Sequence, residues 1–173
     1  MGPHDRYRRQ QPVHDDRDRL ATRFGALATP RLETYPADLA AEIDALDEWL
    51  GPVVNRGAHR AGTEPAARDD LHRAFADLDT RLVSDRFLLG ERLTESDIRL
   101  FVTLVRFDAG VNADGAAGRR LDEYPHLWGY ARDLYRTPGF AETTRFDSFT
   151  HPGASLPAWD APVDRGRPVA AVA

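Results

Sequence analysis

The segment Leu93-Thr94-Glu95-Ser96-Asp97-Ile98 constrains the fold of this chain more than any other stretch. Thr94 has the side chain of a helix N-cap, and Asp97 follows three residues later, where a capping box usually has Glu or Gln. Leu93 and Ile98 can form the hydrophobic staple across the cap. The sequence therefore predicts that a helix starts here, with Thr94 and Asp97 as structural capping residues.

The body of this helix, from Ile98 to Phe107, is apolar on more than one face. A helix of that kind is normally buried, so we expect it to be the central helix of the fold. The charged residues Arg99, Arg106 and Asp108 then need partners. Arg106 and Asp108 are interpreted either as a buried structural pair or as a pair that faces a substrate.

Two further amphipathic helices are predicted before the central one. The first opens at Tyr35-Pro36 and ends near Gly51-Pro52, and the second runs from about Pro65 to Val83. A loop over 55–62 joins them and is short enough for the helices to be neighbours. Their apolar stripes have the same spacing and comprise Leu39, Ile43, Leu46 and Leu50 in the first helix, and Leu71, Phe75, Leu78 and Leu82 in the second.

After the central helix, residues 110–118 are rich in glycine and alanine and predict a loose connection. Pro125 then opens a helix that stops at Thr137-Pro138-Gly139, and a short turn follows around 140–146. No strand and no internal repeat is predicted. The proposed division is a disordered leader over 1–14, a short helix within 15–34, a helical domain over 35–147 and an extended tail over 148–173.

The sequence has no cysteine, which excludes disulfides, thiolate metal sites and a cysteine nucleophile within these 173 residues. A net charge of −5 argues against nucleic acid as a partner. There is no apolar run of membrane-spanning length and nothing that resembles a secretory signal, so the cytoplasm is the expected location and no membrane partner is expected. His72 and His126 have no acidic residues at ligand spacing, so no metal site is predicted.

Several separate segments, in a consistent order, resemble one protein family. They are the stretches 86–101 and 103–108, together with Tyr35-Pro36, 41–44, 54–57 and 133–139. This pattern resembles the C-terminal domain of glutathione S-transferases and is most similar to the xi-class enzymes called glutathionyl-hydroquinone reductases. The similarity covers roughly residues 20–147.

The resemblance implies an all-α fold, a glutathione-transferase C-terminal-type helical bundle of about five to six helices. In that family a preceding thioredoxin-like domain holds glutathione, and its cysteine attacks the sulfur of a glutathionylated hydroquinone. This sequence shows neither that domain nor that cysteine, and residues 15–34 would match the last helix of the domain. The resemblance thus implies no catalytic residue and no bound cofactor here, with glutathione or another low-molecular-weight thiol as co-substrate.

In the family, two tyrosines of the helical domain hydrogen-bond the quinone oxygen. Tyr135 matches one of them, and His59 stands where the other would fall, so both are predicted to bind a small aromatic, quinone-like substrate. Packing alone can also account for Tyr135, and His59 can equally be a polar loop residue. The sequence departs from the family pattern over 110–118 and from 151 to Trp159.

Three functions follow from the resemblance. The first is the acceptor-binding half of a thiol-dependent transferase, which works with a separate thioredoxin-like chain. The second is a noncatalytic module that binds small aromatic ligands or forms a homodimer. The third is a transferase without cysteine, in which Tyr135 activates a thiol taken from solution.

Overall fold

The computed structural model describes residues 32–150 and Trp159. The chain divides into two compact units, Met1–Glu33 and Thr34–Ala173, and nearly all described residues belong to the second. The leader over 1–14, the helix predicted within 15–34 up to residue 31, and the tail beyond Thr150 apart from Trp159 lie outside the described residues. Across the described residues no strand is present, which agrees with the all-α prediction.

Six α-helices form this unit over its described part. They are α1 (Ala40–Leu50), α2 (Arg56–Arg60), α3 (Pro65–Arg81), α4 (Glu95–Arg106), α5 (Pro125–Arg136) and α6 (Phe140–Thr143). π-Helical turns over Gly51–Asn55 and Phe107–Val111 and short 3-10 turns over Leu121–Glu123 and Phe146–Ser148 complete the order. The number and order of the main helices agree with the sequence prediction.

Helix α4 is the central element, as its apolar faces predicted. It packs against α1 on one side and α5 on the other, while α3 packs against α5. Leu100 and Leu104 are completely buried, and Phe101 and Val105 nearly so. The predicted stripe on α3 is also buried, through Leu71, Phe75 and Leu78.

The predicted boundaries of the first helix were wrong at both ends. The helix begins at Ala40 instead of Tyr35-Pro36, and the chain remains helical beyond Gly51-Pro52. Pro52 has no N–H to donate within an α-helix. The backbone widens into a π-turn instead, in which the Arg56 N–H donates to the Gly51 carbonyl. Most of the loop predicted over 55–62 is therefore helix α2.

The connection after α4 is more ordered than its glycine content predicted. Asn112 is buried, its amide nitrogen donates to the Arg119 carbonyl at 2.9 Å, and its amide oxygen accepts the Ala117 N–H at 2.9 Å. His72 on α3 fixes the same segment by contacting the Ala117 carbonyl through Nε2 at 2.7 Å. Because a carbonyl can only accept, Nε2 carries the hydrogen, and the Tyr124 hydroxyl donates to Nδ1 at 3.0 Å.

Candidate ligand-binding site

A cleft of about 370 Å³ opens on the outward side of α4, next to α2. Five of its ten lining residues are apolar and five are polar or charged. The lining residues are Asn55, Ala58, His59, Ile98, Arg99, Val102, Thr103, Arg106, Phe107 and Val111. A cleft that combines apolar walls with convergent polar groups is a usual form of a site for a small organic ligand.

Both π-turns border this cleft. The first contributes Asn55, and the second contributes Phe107 and Val111. In the second turn the Asn112 N–H donates to the Phe107 carbonyl at 2.8 Å, which is the longer spacing of a π-helix. Single π-turns inserted in α-helices occur often at functional sites, because they redirect side chains without ending the helix.

The polar groups on the floor of the cleft are held in place by neighbouring side chains. The Thr103 hydroxyl donates to the Asn55 amide oxygen at 2.8 Å. Arg99 forms ion pairs with Glu95 at 2.6 Å and with Asp47 at 3.3 Å. The second pair joins α4 to α1. Arg99 therefore has the charged partners that a position on a largely buried helix was expected to need.

His59 and Arg106 lie at the rim of the cleft, and both are exposed. The Arg106 guanidinium lies over the ring of Phe149, with its central carbon 5.7 Å from the ring centroid. The predicted pairing of Arg106 with Asp108 is not found among the described residues, where Asp108 is buried and bonds Trp159 instead. The two residues lie on different sides of the helical turn, so Arg106 faces solvent and Asp108 faces the core.

A second cleft, of about 620 Å³, adjoins the first along α4. The two clefts share Ile98, Val102 and Arg106. Val102 is 45% exposed, which is high for an apolar residue on the central helix. The outward side of α4 therefore presents a continuous, largely apolar surface with a cationic rim.

Tyr135 does not line the cleft that contains His59. Its ring lies 5.8 Å from the ring of Trp159 and 6.1 Å from that of Phe146, in an aromatic cluster between α4, α5 and the chain after α6. The structure thus places the two predicted substrate-binding residues in different surroundings. His59 lies beside a cleft in which a ligand could bind. Tyr135 instead packs against other aromatic rings.

Trp159 is the centre of the aromatic cluster. Its side chain is only 1% exposed, and the rings of Phe101, Trp128, Tyr135 and Phe146 lie within 6.4 Å of it. The indole N–H donates to the Asp108 carboxylate at 3.1 Å. A residue that the sequence assigned to an extended tail is therefore part of the core of the helical domain.

The pKa of the Asp108 carboxyl is raised from an ordinary 3.8 to about 6. Burial is the main cause, because it disfavours the charged form. The charge of Arg120 and the hydrogen bond from Trp159 act in the opposite direction. The carboxylate is therefore charged and buried at neutral pH, at a cost to stability.

We expect Asp108 to make the stability of the fold depend on pH. Because its pKa is 3.8 unfolded and about 6 folded, the folded chain holds the proton more strongly. Its stabilising contribution is therefore fully present below the unfolded pKa and is lost as the pH rises through about 6. At about 1.4 kcal/mol per pH unit, the loss is at most about 3 kcal/mol.

Asp108→Asn removes this titration and keeps an oxygen that can accept the Trp159 N–H. In urea denaturation of both proteins, the free energy of unfolding of the variant should rise relative to that of the wild type between about pH 4 and about pH 7. Asp69→Asn, at an exposed position on α3, is the control and should show no such trend. A difference between Asp108→Asn and wild type that stays constant with pH would contradict the prediction.

Within the described residues, no group of three or more His, Asp or Glu side chains could hold a metal ion. No helix in the same part of the chain is long and apolar enough to cross a membrane.

Residues 45–133 match the family described as glutathione S-transferase, C-terminal domain. This range includes α2, α3, α4 and most of α5, and thus the whole lining of the cleft. The chain belongs to the glutathione S-transferase C-terminal domain family. The predicted resemblance and fold class are confirmed.

Within the family, the chain is similar to glutathionyl-hydroquinone reductases. It is 40% identical over 133 residues to YqjG of Escherichia coli K12, covering 73% of this chain and 40% of the relative. It is 39% identical over 100 residues to PcpF of Sphingobium chlorophenolicum, covering 54% of this chain and 32% of the relative. The chain thus spans about two fifths or less of the length of these two reductases.

Solved structures agree with this relationship. The glutathione-bound structure of YqjG matches with a TM-score of 0.66 at 37% identity, covering 72% of this chain and 42% of that chain. A xi-class transferase from Natrialba magadii matches with a TM-score of 0.68 at 36% identity, covering 75% of this chain and 42% of that chain. Both are glutathione transferases of the kind that the sequence motifs indicated.

The sequence did not predict that Asn55 and Thr103 line the cleft and form a hydrogen bond with each other. Asn55 belonged to a segment that carried the family resemblance, but it was placed at the start of a loop. Thr103 is 48 residues away along the chain. One local signal was available, because Asn55 and His59 are spaced four residues apart and would share one face of a helix.

Proposed function

We propose that this chain is the acceptor-binding helical domain of a transferase of the glutathionyl-hydroquinone reductase type. The observation that carries the proposal is the cleft on the outward side of α4, which combines apolar walls with a polar floor and a basic rim. Ile98, Val102 and Val111 would hold an aromatic ring by burial of its apolar surface. His59 at the rim would contact a ring oxygen.

The charge at the rim fits a glutathionylated ligand. Glutathione is an anionic peptide, and its conjugates carry the same carboxylates. Arg106 has no acidic partner among the described residues, so its guanidinium is available to such a group. Glutathione or another low-molecular-weight thiol remains the proposed co-substrate.

The sulfur chemistry requires a thiolate that these 173 residues do not contain. A thioredoxin-like domain that carries a cysteine is the proposed source. The continuous apolar surface along α4, with Val102 45% exposed, would be covered by such a partner. Cytoplasmic location, where glutathione keeps thiols reduced, is part of this proposal.

A noncatalytic module that binds small aromatic ligands is the second candidate. It is supported by the side chains that line the cleft, because Ile98 and Val102 can pack against a ring while Asn55 can donate to an oxygen on it. Association into a homodimer, proposed with this function, would make the molecular mass in solution twice that of the chain. Light scattering of the purified chain measures this directly.

We expect the chain to bind S-glutathionyl hydroquinone. The substitution Val102→Glu should weaken that binding by about tenfold, because the new carboxylate would face both the ring and the anionic peptide. Val83→Glu is the matched control, because Val83 is 52% exposed and lies away from the cleft. Isothermal titration calorimetry measures both variants. Equal weakening by both, or no binding by wild type, would contradict the proposal.

Turnover distinguishes the two candidates. With free glutathione present, the chain alone should not release hydroquinone, whereas addition of a cysteine-bearing thioredoxin-fold partner should start the reaction if the first candidate is right. Binding without turnover under either condition would favour the noncatalytic module. Turnover by the chain alone that Tyr135→Phe abolishes would instead establish the enzyme without cysteine.

A further inference from the structure

Asn55 occupies a defined position on the floor of the cleft. It is the last residue of the first π-turn, and Thr103 faces it from the C-terminal half of α4. The Thr103 hydroxyl lies 2.8 Å from the Asn55 amide oxygen and 3.3 Å from the Arg99 carbonyl. A hydroxyl has a single hydrogen, and the shorter contact takes it.

This hydrogen bond orients the Asn55 amide. An amide has an accepting oxygen on one side and a donating NH2 group on the other. Because the oxygen accepts from Thr103, the NH2 group points the other way. It has no acceptor among the described residues, and Asn55 lines the cleft.

We propose that Asn55 selects ring ligands that carry an oxygen acceptor, and that Thr103 is its positioning residue. The inference rests on the proposed function and adds a specificity determinant to it. A quinone carbonyl or a phenolate oxygen would accept one N–H of Asn55 while the ring lies between Val102 and Val111. A ring without oxygen would leave the amide unpaired on entry, and the site would disfavour it.

The arrangement also gives His59 a defined part. It lies one helical turn beyond Asn55 and lines the same cleft, nearer its exposed rim. Two polar groups at this spacing can reach one oxygen substituent from the same helix face. Asn55 supplies the fixed donor, because Thr103 holds it, whereas His59 has no hydrogen bond to any described residue that would hold it.

Two ligands of nearly the same shape test the proposal. Acetophenone has a carbonyl oxygen that can only accept, and ethylbenzene has the same ring without it. Binding of each to the full chain is followed by NMR, through the methyl signals of Val102 and Val111 and the side-chain NH2 signal of Asn55. We expect the wild type to bind acetophenone roughly threefold to tenfold more tightly, with a shift of the Asn55 NH2 signal for acetophenone alone.

Three variants separate recognition from packing. Asn55→Asp keeps an oxygen for Thr103 and removes the donor, so the preference for acetophenone over ethylbenzene should disappear, and the new charge should weaken binding of both ligands. Thr103→Val should reduce the same preference, and Thr103→Ser, which keeps the hydroxyl, should retain it. The thermal midpoint of each variant, measured by circular dichroism, verifies that the fold is intact.

The outcomes also separate this inference from the proposed function. If both ligands shift the cleft methyl signals with equal affinity, or if Asn55→Asp keeps the preference, the role of Asn55 is refuted and the ring-binding cleft stands. If neither ligand shifts those signals, the proposed function fails together with the inference. A preference that Thr103→Val leaves intact would overturn the positioning role of Thr103 alone.

Discussion

Replacing Asp97 with alanine is expected to lower the free energy of unfolding by about 4 kcal/mol. Asp97 is completely buried at the start of α4. Its carboxylate accepts the Thr94 N–H at 2.7 Å, the Thr94 hydroxyl at 2.8 Å, the Leu88 N–H at 2.9 Å and the Tyr130 hydroxyl at 2.9 Å. Removing it leaves two buried backbone N–H groups without a partner, each of which costs about 1–3 kcal/mol.

The cost should be large because these four bonds join three parts of the fold. Thr94 is the N-cap of α4, Leu88 lies in the loop that follows α3, and Tyr130 belongs to α5. Leu88 is fixed on its other side as well, because Arg81 at the end of α3 donates to its carbonyl at 2.6 Å. Burial, and then the nearby charge of Asp97, raise the pKa of Tyr130 well above its usual value, so its hydroxyl remains a donor.

Urea denaturation of Asp97→Ala, Tyr130→Phe and Asp69→Ala measures the effect. Tyr130→Phe removes one of the four donors and should cost about 1 kcal/mol. Asp69→Ala removes an exposed carboxylate from α3 and should change stability by less than about 0.5 kcal/mol. If Asp97→Ala were no more destabilising than Asp69→Ala, Asp97 would not be the organising residue that its hydrogen bonds indicate.

Trp159→Ala is expected to cost about 3–5 kcal/mol, which is typical for removal of a large buried aromatic side chain. The indole fills the space among four aromatic rings, so its removal leaves a cavity there. The substitution also removes the N–H that bonds the buried Asp108 carboxylate. Both losses act on the same part of the core, beside the end of α4.

Trp159→Phe separates the two contributions. It retains most of the ring volume and loses the donor, so it should be less destabilising than Trp159→Ala. Without the indole N–H, which lowers the pKa of Asp108, the pKa of this carboxyl should rise further. NMR titration of the Asp108 carboxyl carbon would measure the rise, and an unchanged pKa would show that the hydrogen bond is absent in solution.

The sequence determined the helical class, the order of the main helices and the start of α4, because these depend on local chemistry. A cap, a staple and a buried apolar stripe are all specified by residues within a few positions of one another, as Thr94, Asp97 and the body of α4 illustrate. The family also followed from local segments. Consistent local signals were therefore sufficient to predict the helical class, the order of the main helices and the family.

Tertiary structure alone decided which side chains share a site. The cleft depends on a π-turn at Gly51–Asn55 that sequence periodicity predicted as the end of a helix, and on a hydrogen bond between Asn55 and Thr103 across 48 positions. Trp159 enters the core from a segment with no periodicity. Such contacts arise because packed helices bring together residues that are far apart in the sequence. A local sequence pattern does not specify which distant residue a given side chain will contact.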